Sequence, residues 1–523
     1  MLARTCEQLQ IQNSDTLCRA DGAGWLAMDE AEAEARTAYG ESWYAATKVP
    51  APSRPSLSID LDVDVCVVGG GLAGLTTARE IARRGWSVAL LEAHRIACRA
   101  SGRNSGFVLP GFAATAQSVI DRVGLTQTCD LWALSRSGLD YVRNAIRDDA
   151  MPGIEAQDGW LYVSKFDNGG EFTRLVGLLD GLGDEIERWP TERLRAVLRS
   201  ERYFHAIHYP NAIDIHPLNY ALGLAAAAER AGARIFEHTA ALSIDAAGVR
   251  KRIVTAEARV RAAHVVLCGN VQIGGLMPQI ASALIPMTTY VITTGSLGAR
   301  LAEAIDYRGA VSDSDIADNH YRIVGGDRLM WSGRATTWAR NPQRYVPALT
   351  ADIKKTYPQL GDVAVDYVWS GTLGYPIHGM PQLGELAPGF WLASGFGGHG
   401  LNTTAMAGNL IARAIVDGDQ TWRQFTPFEL VWAGGILGRA TAQLYYWLRR
   451  ARDAMAERRS RAAEMARRRA SEAAAAAAVP QPQPDQAGSI APAGADETAT
   501  ANAAPGAAFR PPRRRRRRHG AKA

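Results

Sequence analysis

The feature that most constrains this chain is a glycine-rich turn between an apolar run and a helical pattern. Residues 63–68, VDVCVV, form a short β-branched run typical of a buried strand. The turn after them carries Gly69, Gly71 and Gly74, and residues 75–85 place apolar side chains at helical spacing. Strand, tight turn and helix in this order predict a dinucleotide-binding βαβ unit.

Each glycine of this unit has its own physical role. Gly69 permits the tight turn, Gly71 lets the backbone approach a pyrophosphate, and Gly74 lets the helix pack close to the strand. The N-terminus of the helix offers N–H groups to the phosphates. Residues 86–92 predict a second strand that ends on Glu92. The carboxylate of Glu92 would accept hydrogen bonds from ribose hydroxyls and repel the 2′-phosphate of NADP.

Strand and helix patterns alternate along the rest of the chain, which predicts an α/β fold. A second glycine-rich turn lies between a strand and a helix far from the first one, at 395–400. The predicted elements used below are strands at 160–164, 205–209 and 392–394, helices at 217–231, 401–416, 437–448 and 449–478, and a hairpin over 321–334 turned at 325–327.

Charge is distributed unevenly. The chain has 58 basic and 53 acidic residues, of which 17 and 7 lie in residues 449–523. Residues 1–448 are therefore acidic, and the net charge of +5 comes from the C-terminal part. A basic, nucleic-acid-binding body is excluded by this distribution.

The six cysteines are scattered without a C-x-x-C pair, so we predict neither a disulfide framework nor a structural metal site. No apolar signal segment is seen at the N-terminus. Prolines and glycines interrupt the uncharged stretch 265–299, which predicts buried strands and a loop rather than a membrane span. We therefore expect a cytoplasmic protein, peripheral at the inner membrane face at most.

Two further segments carry a resemblance to a known family. One is RASGRNSG at 99–106, just after the second strand, and the other is GFGGHGLN at 395–402. With DVCVVGGGLAGL they resemble the D-amino-acid-oxidase-like FAD-dependent oxidoreductases, and within them the γ-glutamylputrescine oxidase group. The resemblance runs from about Ser42 to about Asp419.

The resemblance implies a Rossmann-like FAD-binding domain and a discontinuous substrate domain built on a mixed or antiparallel sheet. Arg103 and His399 are implied as catalytic residues, with the helix after His399 stabilising negative charge at the pyrimidine edge of the flavin. The residues that the resemblance assigns to FAD binding are Gly69, Gly71, Leu72, Ala73, Gly74, Glu92, Ala93, Ser101, Gly102, Arg103, Asn104, Ala241, Gly397, Gly398, His399, Gly400 and Leu401.

The chain is expected to divide into two discontinuous domains with extensions at both ends. The expected parts are a lead-in at 1–59, the FAD-binding domain at 60–115, 205–285 and 365–425, the substrate domain at 116–204 and 286–364, C-terminal helices at 426–478 and a disordered basic tail at 479–523.

Oxidation of a CH–NH bond of an amine or amino acid, γ-glutamylputrescine-like or related, is the reaction that the resemblance implies. Hydride passes to the flavin, and the imine formed hydrolyses. Some members of the family that the chain resembles attach flavin covalently to a cysteine near the C-terminal flavin loop, and others to a histidine shortly after the second strand. No cysteine follows Cys268 and the 99–106 segment has no histidine, so the resemblance implies non-covalent FAD. None of the six lysines lies on the 321–334 hairpin, where sarcosine-oxidase-like members place an oxygen-activating lysine. Oxygen and a quinone therefore both stay open as acceptors.

Aromatic and cationic residues near these segments are the candidates for the amine site. They are Tyr321, Arg334, Trp369 and Tyr375. Two rival functions stay open: a quinone-linked D-amino-acid dehydrogenase, and a nucleic-acid-associated flavoprotein tethered by its arginine-rich tail. The run Arg513–Arg518 predicts a weak contact of residues 510–518 with an anionic surface.

Overall fold

The computed structural model describes residues 39–314 and 319–477 of the 523. The chain divides into two compact units, Met1–Met465 and Ala466–Ala523. In the second unit the described residues are helical. Most of the lead-in and the whole 479–523 tail lie outside the described residues.

The helices are α1 (Trp43–Ala46), α2 (Leu72–Arg83), α3 (Ala116–Val123), α4 (Leu125–Asp148), α5 (Gly169–Gly181), α6 (Thr191–Leu198), α7 (Pro217–Arg230), α8 (Pro278–Ser282), α9 (Ala299–Ala304), α10 (Val346–Thr356), α11 (Gly400–Asp417) and α12 (Gly435–Ala477). The strands are β1 (Leu61–Val68), β2 (Val88–Leu91), β3 (Phe107–Val108), β4 (Gln157–Ser164), β5 (Glu187–Trp189), β6 (His205–Asp214), β7 (Arg234–Phe236), β8 (Ser243–Asp245), β9 (Lys251–Val254), β10 (Arg259–Leu267), β11 (Ile285–Thr294), β12 (Ala310–Asp313), β13 (His320–Val324), β14 (Arg328–Thr336), β15 (Val365–Tyr375), β16 (Gln382–Ala387) and β17 (Phe390–Ser394).

The first sheet is parallel at its centre. Its strands follow the order β16, β17, β10, β1, β2, β7, with β16 antiparallel at one edge and the β9–β8 hairpin beside β10. Strand β1 has a nearly continuous apolar sequence because helices and loops cover both faces of a central parallel strand. Helix α2 packs against β1 and β2 and against helices α7 and α11.

The second sheet has nine strands in the order β15, β11, β14, β13, β12, β4, β6, β3, with β5 beside β6. Strands β12 and β4 run parallel, and their neighbours run antiparallel. One face packs into the main hydrophobic core through Trp160, Met330 and Trp369. The other face carries a separate cluster that includes Tyr321 and Trp331. Each face therefore receives every second residue of a strand.

The predicted α/β class, with a mixed second sheet, is confirmed. Helix α2, predicted from its apolar spacing to begin at residue 75, begins three residues earlier, at Leu72. The two helices predicted at 437–448 and 449–478 form one continuous helix, α12. The domain boundaries stay a prediction.

A β-bulge interrupts the pairing of β14 with β11. Tyr290 pairs with Gly333 and Thr289 with Ala335, so Arg334 is the additional residue, with a φ of +60°. The Arg334 guanidinium donates to the Ala348 carbonyl at 3.1 Å and pairs with a carboxylate of the same helix, α10. The bulge therefore directs this arginine to the face of the sheet away from the main core.

Within the first unit, residues 435–465 of α12 are held to the rest of that unit by a buried ion pair. The Glu457 carboxylate lies 2.9 Å from Arg202 Nε and 2.7 Å from Lys355 Nζ, and the Arg202 and Glu457 side chains are 4% and 5% exposed. Burial opposes the charge on Glu457, but the two cations outweigh it and hold the pKa of this carboxyl at about 2.

Glu457→Gln is expected to lower the free energy of unfolding by about 3 kcal/mol at pH 7, because Arg202 loses its buried counter-charge. The folded pKa lies below the unfolded value of about 4.3, so the wild-type advantage is full above about pH 5 and shrinks as pH falls toward 2. Urea denaturation of both proteins at several pH values measures this difference in the free energy of unfolding. Glu464→Gln, in the more exposed pair with Arg195, is the control and should cost less than about 1 kcal/mol. Equal losses of stability in Glu457→Gln and Glu464→Gln would contradict the expectation.

Candidate active site

The carboxyl ends of four parallel strands meet at one edge of the first sheet. The chain leaves β1 at Gly69, β2 at Glu92, β10 at Cys268 and β17 at Gly395. Open α/β sheets bind ligands in the crevice outside such an edge. Gly69 has a φ of +113°, and a Cβ there would lie 2.9 Å from the Cys268 carbonyl carbon. Only glycine fits between these two turns.

The N-terminus of α2 lies at this edge. Its N-cap residue is Gly71, which has no side chain to cap the helix. The Leu72 N–H donates to Ser101 Oγ at 3.1 Å, and Ala73 is buried in the same turn. A helix N-terminus whose N-cap residue is glycine leaves N–H groups of the first turn for a ligand, and such a terminus is suited to bind phosphate groups.

Gly74 sets the distance between α2 and the preceding turn. A Cβ on Gly74 would lie 2.0 Å from the Gly69 carbonyl oxygen and 3.2 Å from Val67 Cγ1. No larger residue can occupy the position without moving the helix. This approach is the packing role that the motif predicts for its third glycine.

The Glu92 carboxylate lies at the same crevice, at the end of β2. It accepts hydrogen bonds from the Gly70 N–H at 2.7 Å and the His94 N–H at 2.9 Å. Burial raises the pKa of Glu92, while these N–H groups lower it. Ala93, the next residue, is exposed. Each carboxylate oxygen retains a lone pair for a further donor such as a ribose hydroxyl.

The 99–106 segment is folded tightly beside α2. Gly102 allows the chain to approach the Ala97 carbonyl oxygen, from which a Cβ would lie only 2.4 Å away. The Asn104 amide donates to the Ser101 carbonyl at 2.9 Å and accepts from the Gly106 N–H at 2.9 Å. Asn104 therefore holds the shape of the segment.

Arg103 joins this segment to its surroundings. Its guanidinium donates to the carbonyls of Cys98 at 3.0 Å and Tyr39 at 3.2 Å. Its own carbonyl accepts from Trp369 Nε1 at 3.0 Å, so two predicted site residues are in contact. These bonds are structural, and contact of either side chain with flavin or substrate stays a prediction.

The second helix N-terminus at the crevice belongs to α11, which begins at Gly400. A Cβ added at Gly398 or Gly400 would meet nothing within 4 Å, so open space adjoins this turn. Gly397 has a φ of +57°, and a Cβ there would lie 2.5 Å from Ala113 Cβ. Leu401 is buried in the first turn.

His399 is the N-cap of α11, and its Nδ1 is buried without a hydrogen-bond partner. Burial lowers the pKa of His399 to about 4, with a smaller contribution from His320. The imidazole is therefore neutral at pH 7. A buried polar atom without a partner, beside open space and a helix N-terminus, is suited to hydrogen-bond a bound group.

The second sheet meets the 99–106 segment and the following Phe107 through residues that the sequence patterns did not indicate. His320 contacts the Phe107 ring at a centroid distance of 5.5 Å, and its Nδ1 lies 2.7 Å from Ser312 Oγ. Ser332, opposite His320 on β14, lies 2.9 Å from Ser105 Oγ. Burial lowers the pKa of His320 to about 4, so this imidazole is also neutral at pH 7.

Tyr321 lies on the opposite face of the same strand. It stacks on Trp331 at 4.3 Å, and its hydroxyl bonds to those of Tyr203 and Tyr357. Its substrate contact stays a prediction that this position does not favour. Side chains alternate along a strand, so His320 and Tyr321 point to opposite faces of the sheet. This alternation would have indicated His320 instead of Tyr321 if the face toward the crevice had been known.

The other predicted residues lie further from His320. Tyr375 donates to the Ala113 carbonyl at 3.0 Å and lines a groove of about 490 Å³ next to Gly397. Ala241 packs against the hydrophobic cluster of the first sheet. Arg334 is on the far face of the second sheet, paired with α10. Their roles stay predictions.

The family is decided by comparison with known proteins. Residues 64–414 match the sequence family described as DAO, FAD dependent oxidoreductase. The chain belongs to this family. Its enzymes use FAD, and this chain is an FAD-dependent oxidoreductase, as the resemblance implied.

The relatives of this FAD-dependent oxidoreductase agree with that assignment. The gamma-glutamylputrescine oxidoreductase of Escherichia coli (strain K12) is 31% identical over 392 residues, covering 72% of this chain and 89% of the relative. The probable oxidoreductase OrdL of Haemophilus influenzae is 27% identical and covers 73% and 90%. The crystal structure of glycine oxidase from Geobacillus kaustophilus has a TM-score of 0.61, with 20% identity over 71% of this chain and 99% of that chain. That likeness shows the fold alone.

The described residues fit FAD. The crevice is lined by two helix N-termini whose N-cap residues make no side-chain cap hydrogen bond, by a carboxylate at the end of β2 and by the unpartnered His399 Nδ1. Among residues 39–314 and 319–477, no group of three or more histidine, cysteine or acidic side chains is arranged to hold a metal ion.

Gly74→Ala is expected to reduce bound FAD, because the methyl group would collide with the Gly69 carbonyl oxygen and displace α2. The flavin-to-protein absorbance ratio measures the loss, and overpacking should also cost about 2 kcal/mol of stability. Gly177→Ala is the control: its Cβ meets nothing within 4 Å in helix α5, and it should gain up to about 1 kcal/mol. Full flavin content in Gly74→Ala would refute the expectation.

Proposed function

We propose that this enzyme binds FAD non-covalently and oxidises a CH–NH bond of an amine related to γ-glutamylputrescine. The observation that carries the proposal is a convergence of three parts. Ser105 of the 99–106 segment lies against Ser332, His320 contacts Phe107 of β3, and α11 packs against the same strand β3. The relative that is 31% identical is a gamma-glutamylputrescine oxidoreductase, which supports this substrate class.

In this proposal the two glycine-rich turns divide the work of holding the cofactor. Gly69, Gly71 and Gly74 would hold the pyrophosphate, and Glu92 would accept hydrogen bonds from the ribose. The N-terminus of α11 with His399 would lie beside the pyrimidine part of the flavin, where a helix dipole stabilises negative charge. Bound FAD supplies hydride acceptance.

Non-covalent attachment is supported by the state of the cysteines near the crevice. Burial raises the pKa of the Cys98 thiol to about 11 and that of the Cys268 thiol to about 12. Both thiols are therefore protonated at pH 7, and the thiolate is the nucleophilic form. Acid precipitation of the holoenzyme should release all of the flavin into the supernatant, whereas flavin retained in the pellet would contradict this part of the proposal.

An amine without an α-carboxylate is favoured by the charges on the active-site face. The arginine on the same face of β13 as His320 is Arg322, which is buried and paired with Asp214. It also donates to Tyr44 Oη at 3.1 Å and to the Ile215 carbonyl at 2.8 Å. Its charge is thus already compensated, and a D-amino acid would need another cation for its carboxylate.

Neutral imidazoles suit the reaction, because hydride leaves the carbon next to an amine nitrogen that must be unprotonated. His320 and His399 add no positive charge above about pH 5. The pH dependence of kcat/KM between about pH 6 and 9 should therefore follow the substrate amine rather than these side chains.

The positions of the lysines favour a quinone or another carrier as the electron acceptor, because the proposed reaction with oxygen would use a lysine on the β13–β14 hairpin. The six lysines are at 48, 165, 251, 354, 355 and 522, so strands β13 and β14 carry none. Lys165 is buried 3.2 Å from Asp313. A quinone-linked dehydrogenase is accordingly the second candidate function, distinguished by dye reduction without peroxide release.

One anaerobic experiment tests the substrate class. The holoenzyme is mixed with γ-glutamylputrescine, N-methyl amines or D-amino acids, and the oxidised-flavin absorbance near about 450 nm is followed. Rapid bleaching by γ-glutamylputrescine is expected. Bleaching by D-amino acids alone would favour the amino-acid dehydrogenase, and no bleaching by any amine would refute the proposal.

His320→Ala is expected to lower kcat/KM by about tenfold or more with unchanged FAD content, because the side chain borders the substrate side of the crevice. Tyr321→Phe is its matched control on the opposite face of β13. That change removes hydroxyl contacts with Tyr203 and Tyr357, so it should cost about 1 kcal/mol of stability and leave kcat/KM unchanged. The reverse pattern would assign the substrate contact to Tyr321.

A further inference from the structure

Helix α12 begins after the segment that the family match covers, which ends at residue 414. In residues 435–465, which belong to the first unit, one face of the helix packs against the rest of that unit. Tyr446 Oη accepts from the Ala335 N–H at 3.2 Å, and Gln443 Oε1 accepts from the Thr337 N–H at 2.9 Å. With the buried Glu457, these residues define the inner face of α12.

The opposite face is apolar and exposed. Large side chains recur at helical spacing along it, and Leu437 and Trp447 are 77% and 61% exposed. We call this the outer face of α12, and its residues are Leu437, Leu444, Trp447, Leu448 and Met455. Trp432 and Ile436, at the start of the helix, are also exposed. A contiguous apolar surface of this kind marks an interaction site.

Charges on α12 are sorted between the two faces. Residues 435–465 contain seven arginines and three acids. All three acids have basic partners: Glu457 pairs with Arg202, Glu464 with Arg195, and Asp453 lies 3.8 Å from Arg449 within the helix. Arg452, Arg458 and Arg459 are exposed. The solvent side therefore combines apolar side chains with positive charge.

A cavity of about 300 Å³ lies between α12 and the loop after β14. Arg340 and Arg450 line it together with Trp338 and Trp447. Gln443, 4% exposed, also lines it, and its Nε2 is buried without a hydrogen-bond partner. The cavity thus combines two cations and an unpartnered donor, which suits a phosphate group. Trp447 connects this cavity to the outer face.

We propose that the outer face of α12 docks on an anionic phospholipid bilayer, with a lipid phosphate in the adjoining cavity. Aromatic and aliphatic side chains on one side of a helix flanked by arginine are typical of helices that lie in the membrane interface. No described helix is both long and apolar enough to cross a bilayer. A second copy of the chain is disfavoured as the occupant, because paired outer faces would bring arginines against arginines.

Vesicle co-sedimentation of the full-length holoenzyme tests the proposal. Binding is expected to vesicles of phosphatidylglycerol mixed with phosphatidylcholine, and not to phosphatidylcholine alone. Raising salt from about 0.1 M to about 1 M shortens the screening length from about 10 Å to about 3 Å and should weaken binding. The double variant Leu444→Ser with Leu448→Ser should bind about tenfold more weakly. Val249→Ser, 87% exposed elsewhere, is the matched control and should bind like the wild type.

A second pair of changes tests the cavity. Arg340→Gln with Arg450→Gln should reduce the preference for phosphatidylglycerol, with flavin content and turnover unchanged because neither residue borders the crevice. Binding by all α12 variants equal to that of the wild type would overturn the proposal. So would loss of binding only when Arg513–Arg518 are changed to glutamine in the full chain. Conversion of a dimer to a monomer by the leucine changes, with vesicle binding unaffected, would identify a second copy as the occupant.

Discussion

The approach of helix α2 to the turn after β1 is the contact on which the rest of the structure depends. At Gly74 there is no room for a single additional carbon atom. This contact holds the N-terminus of α2 at the carboxyl edge of the first sheet, where β2, β10 and β17 also end. Helices α7 and α11 pack against α2, so the second glycine-rich turn is positioned by the same contact. A local steric limit thereby organises a ligand crevice.

The chemistry of the crevice is set by burial more than by charge. His320 lies on the second sheet and His399 is the N-cap of α11. Burial lowers the pKa of both, so each imidazole is neutral at pH 7. The buried arginine on the same face, Arg322, is compensated by Asp214. A site of this kind suits the neutral amine nitrogen that the proposed reaction requires, with hydride acceptance supplied by bound FAD.

Features that depend on a few consecutive residues were predictable from the sequence. The βαβ unit at Gly69, the carboxylate at Glu92 and the hairpin turn at 325–327 follow from local steric and hydrogen-bonding preferences. Which face of β13 meets the crevice was not predictable, because both faces are buried and alternation alone does not identify the partner. The attachment of α12 rests on pairs such as Arg202 with Glu457, which are 255 residues apart.

The bulge at Arg334 has a consequence for the two faces of the second sheet. Ser332 faces the crevice, and two residues further on a regular strand would present its side chain to the same face. The extra residue instead sends the arginine to α10. Alternation resumes at Ala335, which pairs with Thr289 on the same face as Ser332. The bulge thus adds a charged contact with α10 on the far face of the second sheet, while the side chains on the crevice face keep the positions that a strand one residue shorter would give them.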